Sequence, residues 1–134
     1  LDSGNMLVFD NRGADPSKGE TRVIELDPVT EEFLWVYEGD STNRLETKTC
    51  GSNQRLPNGN TLITEGADGR LFEVTTEGEI VWEYVSPYFS DRPARTNRVY
   101  RAYRLPYDWV PQLPRPEERD VVPPEVSEFR VPVE

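Results

Sequence analysis

Short runs of alternating side chains, rather than long amphipathic stretches, dominate the hydrophobic pattern of this chain. The clearest run is Phe33–Tyr37, in which aromatic residues at every second position alternate with aliphatic ones. A period of two in aromatic and branched residues suits a pleated and mostly buried surface. Turn-forming pairs separate such runs, notably Asp27-Pro28 and Asn58-Gly59. The pattern predicts an all-β protein of short antiparallel strands.

Three blocks of sequence recur in the same order, and such recurrence is typical of a repeat fold. The paired blocks are Leu1–Leu7 with Leu56–Leu62, Arg22–Leu26 with Arg70–Val74, and Phe33–Tyr37 with Ile80–Tyr84. In the second copy the Asn58-Gly59 turn adds an opening strand, Asn53–Leu56. One repeat is then a four-stranded antiparallel meander of roughly 40–50 residues, which is the size of a β-propeller blade.

Counting the predicted strands gives about two blades whose register is offset by one strand. Three strands precede Asp40, four lie between Cys50 and Ser86, and one more runs from Arg98 to Leu105. Both ends therefore need a neighbour, supplied by remaining blades in cis or by another chain in trans. The predicted divisions are 1–40, a blade lacking its first strand; 41–90, a complete blade; 91–106, the first strand of a further blade; and 107–134, a proline-rich extended tail.

The composition narrows the partners and the chemistry. A net charge of −10 without a basic cluster excludes nucleic acid and anionic membrane surfaces as partners. No apolar run approaches the length of a membrane span. The single cysteine, Cys50, cannot form an intrachain disulfide and is interpreted as a small, half-buried residue. The chain contains no histidine, the commonest general base and metal ligand, so we predict neither a metal site nor a cofactor.

Several of these blocks resemble the arylsulfotransferase-like β-propeller family. The resemblance is carried by Gln54–Gly66, Gly69–Val74 and Glu79–Tyr84, and by Gly4–Asn11 in the first copy. It implies a six-bladed, periplasmic or secreted propeller, in which histidines near the central channel pass a sulfuryl group from aryl sulfates to phenols. The tryptophan blocks also resemble, less specifically, quinoprotein-like repeats in which a tryptophan docks between blades.

The same resemblance implies a His-Asp pair just before the string that corresponds to Gln54–Asn60, on the innermost strand of a blade. That position is Gly51-Ser52 in the complete copy and Tyr100-Arg101 in the last copy, and neither holds a histidine. In the first copy the equivalent position would precede Leu1, so we expect that the chain belongs to a longer protein. By itself the chain is expected to be inactive and to act as a scaffold.

Polar residues on the blade-opening strands are the candidate binding site, because such strands line the central channel of a propeller. Guanidinium groups there would hold a sulfate or carboxylate in a planar fork, so the expected ligand is an aryl sulfate or another small anion. The alternative for these arginines is salt bridging with the surplus carboxylates. The candidates are Asn53, Arg55, Arg98, Arg101 and Arg104.

A second hypothesis is a non-catalytic, self-assembling interaction module. Three copies of a two-blade chain would close a six-bladed ring, with Arg98–Leu105 of each copy opening the first blade of the next. In both hypotheses Trp35 and Trp82 are interpreted as residues that pack between blades.

Overall fold

A computed structural model describes residues 1–12, 17, 20–47, 49–90 and 96–117. In these residues seven strands form two antiparallel sheets, so the all-β prediction is confirmed. The first sheet has the order β1-β2-β3 and the second has the order β4-β5-β6-β7. The strands are β1 (Met6–Asp10), β2 (Arg22–Leu26), β3 (Phe33–Tyr37), β4 (Gly51–Arg55), β5 (Thr61–Glu65), β6 (Arg70–Val74) and β7 (Ile80–Val85).

The two sheets repeat one another in register as well as in sequence. In the first sheet Leu7 lies opposite Glu25, which lies opposite Trp35. The corresponding ladder of the second sheet is Leu62, Glu73 and Trp82. Each sheet also has a register shift directly after its glutamate. Strands β1, β2 and β3 are therefore the counterparts of β5, β6 and β7, and β4 has no counterpart in the first sheet.

The hairpin between β4 and β5 closes one residue earlier than the sequence predicts. Leu56, expected at the end of the strand, donates its N–H to the Asn60 carbonyl at 2.8 Å and so begins the turn. Gly59 has a φ of 90°, in the left-handed region that glycine adopts without steric cost. β4 consequently ends at Arg55, and it begins at Gly51 rather than at Asn53.

One hydrophobic core lies between the two sheets. Its buried members are Val23 and Tyr37 from the first sheet, Leu45 from the connecting segment, and Ile63, Phe72 and Val74 from the second sheet. Trp35 also packs against this core and donates its indole N–H to the Thr76 carbonyl at 2.9 Å. Because side chains alternate along a strand, the ladder Leu62–Glu73–Trp82 lies on the other face of the second sheet.

Arg98–Leu105, predicted to be a strand, forms none within this structure. Val99 donates its N–H to the Gly66 carbonyl at 2.9 Å, and Arg104 donates its N–H to the Gln54 side chain at 2.8 Å. A ladder requires a second strand alongside, whereas these bonds join the segment to a 3-10 turn and to a side chain. That the segment opens a further blade stays a prediction.

The chain consists of two compact units, Leu1–Arg104 and Leu105–Glu134. The first unit contains both sheets. The described part of the second unit contains a 3-10 helix, Tyr107–Trp109. Residues 91–95 of the predicted blade-opening segment, and the predicted tail beyond residue 117, lie outside the described residues. No helix in the described ranges has the length and hydrophobicity needed to cross a membrane.

Candidate functional site

Arg55, the first of the predicted anion-binding arginines, is held by the neighbouring sheet. Its guanidinium lies 2.6 Å from the Glu25 carboxylate, and the two side chains are 16% and 18% exposed. It also stacks over the ring of Trp35, with its central carbon 4.8 Å from the ring centroid. Asn5 donates a further hydrogen bond to Glu25 at 2.8 Å. We call Arg55, Glu25 and Trp35 the first arginine cluster.

Arg104 makes the same set of contacts one repeat further along. Its guanidinium lies 2.7 Å from Glu73 and 5.0 Å from the ring centroid of Trp82. Asn60, the counterpart of Asn5, donates to Glu73 at 2.7 Å. Arg104, Glu73 and Trp82 form the second arginine cluster. The geometry at Arg55 and Arg104 thus favours salt bridging, the alternative given for both residues in the sequence analysis.

A small cavity lies beside β4, on the edge that has no strand neighbour in the described chain. Its volume is about 220 Å³, below the ~300–1,000 Å³ of pockets that take drug-sized ligands. Ser52 and Asn53 both line it although their side chains point to opposite faces of the sheet, which places it along the strand edge. The lining residues are Phe9, Gly51, Ser52, Asn53, Arg101 and Tyr103.

The hydroxyl of Ser52, at this cavity, is buried without a hydrogen-bond partner among the described residues. The residue is 8% exposed. Burying a hydroxyl without a partner costs about 1–3 kcal/mol. A ligand or water that hydrogen-bonds to Ser52 would remove that cost.

Arg101 supplies positive charge to the cavity, and its side chain is positioned by two tyrosines. Its guanidinium donates to the Tyr103 hydroxyl at 2.7 Å and lies 5.9 Å from the ring centroid of Tyr100. The hydrogen bond to Tyr103 raises the pKa of Arg101 above its ordinary value. A charged guanidinium, an amide, a phenol and a hydroxyl can all donate hydrogen bonds to one small anion.

Gly51 is required by the close approach of the first sheet. A Cβ atom on Gly51 would overlap the ring of Phe9, well inside van der Waals contact. The resemblance expects part of a His-Asp pair at Gly51-Ser52. Phe9 occupies the space into which any side chain at Gly51 would project.

The five predicted site residues thus fall into three groups. Asn53 and Arg101 meet at the cavity, Arg55 and Arg104 belong to the arginine clusters, and Arg98 is exposed and not among the lining residues. Sequence reasoning missed Ser52, Tyr103 and Phe9 as cavity residues. The signal available for Ser52 was its place at the family's His-Asp position.

Among the described residues, His, Cys, Asp and Glu side chains form no group of three or more that could hold a metal ion. A family model described as arylsulfotransferase (ASST) matches residues 2–87, a range that contains all seven strands. No curated protein and no solved structure matches the chain.

Proposed function

The chain belongs to the arylsulfotransferase (ASST) family, and from this we propose that its two sheets are successive blades of a β-propeller with a sulfate-binding cavity beside β4. The chain is a scaffold that contributes Ser52, Asn53 and Arg101 to an anion site. Residues outside this chain, or a partner, complete that site for sulfuryl transfer. A periplasmic or secreted location is part of the proposal and is supported by the family match alone.

The repetition of one set of inter-sheet contacts supports the propeller. In the first arginine cluster, an arginine from the sheet that follows docks on the glutamate and tryptophan of the sheet that precedes it. The second cluster repeats this docking with Arg104, which lies beyond the second sheet in the chain. Blades of a propeller repeat around a central channel, so each is expected to meet its neighbour in the same way.

One observation carries the anion site: the two family histidine positions meet at a single cavity. Gly51-Ser52 and Tyr100-Arg101 are equivalent positions in successive repeats, and three of these four residues line the cavity beside β4. The opening strands of successive propeller blades line a shared central channel, and the convergence of these two positions supports such a site. The unpartnered Ser52 hydroxyl and the Arg101 guanidinium supply neutral and charged donors for a sulfate oxygen.

Isothermal titration calorimetry with inorganic sulfate and with 4-nitrophenyl sulfate tests the anion site. Charge-assisted hydrogen bonds contribute about 1.5–3 kcal/mol, so Arg101→Ala is expected to weaken binding by about tenfold or more. Arg98→Ala removes an exposed arginine outside the lining and is the matched control, expected to leave the Kd within about twofold. Equal losses in the two variants would show a nonspecific charge effect and refute the site.

Sulfuryl transfer by the isolated chain is the complementary assay. Because the chain contains no histidine, we expect no release of 4-nitrophenol from 4-nitrophenyl sulfate in the presence of a phenol acceptor. Turnover above the uncatalysed rate, absent from an Arg101→Ala sample purified identically, would contradict the scaffold role.

A further inference from the structure

Three side-chain hydroxyls in the described part of the chain are buried without a hydrogen-bond partner, those of Ser52, Thr61 and Thr64. Thr61 and Thr64 are 0% and 1% exposed, and Ser52 is nearly as buried. Buried polar groups in native proteins are almost always paired, so each exception needs an explanation. A binding site provides one, because a group that contacts a ligand has to be available to it.

Two of these hydroxyls lie opposite each other in the second sheet. Ser52 on β4 pairs with Thr64 on β5, so the two side chains point to the same face. The bond from the Leu56 N–H to the Asn60 carbonyl sets the alternation of the ladder and makes Ser52–Thr64 a hydrogen-bonded pair, with Cα atoms about 5.5 Å apart. One oxygen atom about 2.8 Å from each hydroxyl can bridge them. We call Ser52 and Thr64 the hydroxyl pair.

The segment that carries Arg101 is attached on either side of the hydroxyl pair. At one end Val99 donates its N–H to the Gly66 carbonyl at 2.9 Å. At the other end the Gln54 side chain binds both backbone groups of Arg104, accepting from the N–H at 2.8 Å and donating to the carbonyl at 3.1 Å. In the register of β4 and β5, the hydroxyl pair lies midway between Gly66 and Gln54. Arg101 therefore lines the same cavity as one member of the pair.

The charge around this cavity suits an anion. The chain has 25 Asp and Glu residues, yet no carboxylate is among the described residues that line the cavity, whereas Arg101 is. Glu73, which the same segment reaches, is already paired with Arg104 at 2.7 Å. Hydroxyls donate to an anionic oxygen without carrying charge, so they can be buried where a second guanidinium would pay a large desolvation cost.

We propose that the hydroxyl pair binds one terminal oxygen of a sulfate group while Arg101 binds another, which makes Thr64 a ligand-binding residue. The inference rests on the anion site proposed above and extends that site from the edge of β4 to β5. Binding satisfies two hydroxyls that have no other partner in the described ranges. The same two hydroxyls lower the stability of the ligand-free chain, because burial removes them from water.

Thr64→Val is expected to change stability and affinity in opposite directions. Valine keeps the shape of threonine but has no hydroxyl, so the Tm of the ligand-free chain should rise by roughly 4–8 °C. The calorimetric Kd values for inorganic sulfate and for 4-nitrophenyl sulfate should both rise about tenfold, because both ligands carry the terminal oxygen. A substitution that merely disturbs the fold would lower both Tm and affinity.

Thr61→Val is the matched control. Thr61 is also buried and unpartnered, but it lies opposite Arg55 and Val74, on the face of β5 that carries Ile63. A similar rise in Tm is expected, with Kd for sulfate within about twofold of the unchanged chain. Thr64→Ser supplies the rescue, since it loses a buried methyl and some stability but keeps the hydroxyl. Its Kd is also expected within about twofold.

The possible failures are distinguishable. If the unchanged chain binds sulfate and Thr64→Val binds it equally well, the hydroxyl pair is not part of the site, although the anion site stands. A lower Tm for Thr64→Val would show that the hydroxyl is already satisfied, for example by a buried water, and would also overturn the inference. If the unchanged chain binds no sulfate, the anion site itself is refuted and the role of the hydroxyl pair with it.

Discussion

Replacing Glu25 with glutamine tests the energetic role of the arginine clusters, and the repeat supplies a matched control. Glu25→Gln keeps the shape of the side chain and an oxygen that accepts from Asn5, but removes the charge opposite Arg55. The Arg55 side chain is 16% exposed, so water cannot readily replace the lost carboxylate. Breaking a fully buried pair costs about 3–5 kcal/mol and an exposed pair about 0–1 kcal/mol. We therefore expect Glu25→Gln to lower the free energy of unfolding by about 2–3 kcal/mol.

The control is Glu73→Gln in the second arginine cluster. Here the charge left behind is that of Arg104, whose side chain is 44% exposed and can be rehydrated and screened. The Gln oxygen still accepts from Asn60, so the expected loss is about 0.5–1 kcal/mol. Although Glu73 is itself more buried than Glu25, exposure of the remaining arginine predicts the smaller effect.

Urea unfolding, monitored by tryptophan fluorescence at one fixed protein concentration, measures the loss of unfolding free energy in both variants. A destabilisation of 2–3 kcal/mol in a unit of this size corresponds to a fall in Tm of about 10–20 °C for Glu25→Gln, against a few degrees for Glu73→Gln. Equal losses, or a larger loss for Glu73→Gln, would refute the reasoning that exposure of the unpaired arginine sets the cost.

Two further predictions concern residues in the first sheet or packed against it. Gly51→Ala is expected to destabilise the chain by about 1–3 kcal/mol because the added methyl overlaps Phe9, and combination with Phe9→Ala should cost less than the sum of the two changes in a urea-unfolding cycle. Burial alone would raise the pKa of Asp10, but hydrogen bonds from the Arg12 N–H and the Arg22 guanidinium outweigh it and lower that pKa. The stabilisation from ionised Asp10 is therefore fully present above pH 3.8, the pKa of a free aspartate, and is lost as the pH falls through the lowered pKa. Asp10→Asn should reduce the free energy of unfolding at pH 7 and make its decline below pH 3.8 less steep. An acid-unfolding profile identical to that of the unchanged protein would contradict this.

Much of the fold could be predicted from the sequence because strand alternation is a local property. Three strands have the bounds that the pattern predicts: Arg22–Leu26, Phe33–Tyr37 and Arg70–Val74. The end of β4 was wrong by one residue, since the hydrogen bond from Leu56 to Asn60 depends on how the turn closes. At Arg98–Leu105 the residue types are those of a strand, but a ladder also depends on which neighbour is present.

The candidate site was less predictable, because its features depend on contacts between distant parts of the chain. The sequence identifies Arg55 as a possible anion ligand, but it does not show that the Glu25 carboxylate lies 2.6 Å from the Arg55 guanidinium. The burial of Ser52 without a partner is likewise a consequence of how β4 packs. Asn53 and Arg101 could be selected in advance because the repeat predicts that both lie on segments that open blades.

The one-strand offset between sequence repeat and sheet bears on how such chains lengthen by gene duplication. A duplicated stretch that starts at β1 and runs through β4 ends with the arginine that docks on the glutamate and tryptophan encoded earlier in that same stretch. Each added stretch therefore carries both sides of one such docking contact. Recombination at this boundary preserves every such junction, whereas a cut between whole sheets would separate Arg55 from Glu25.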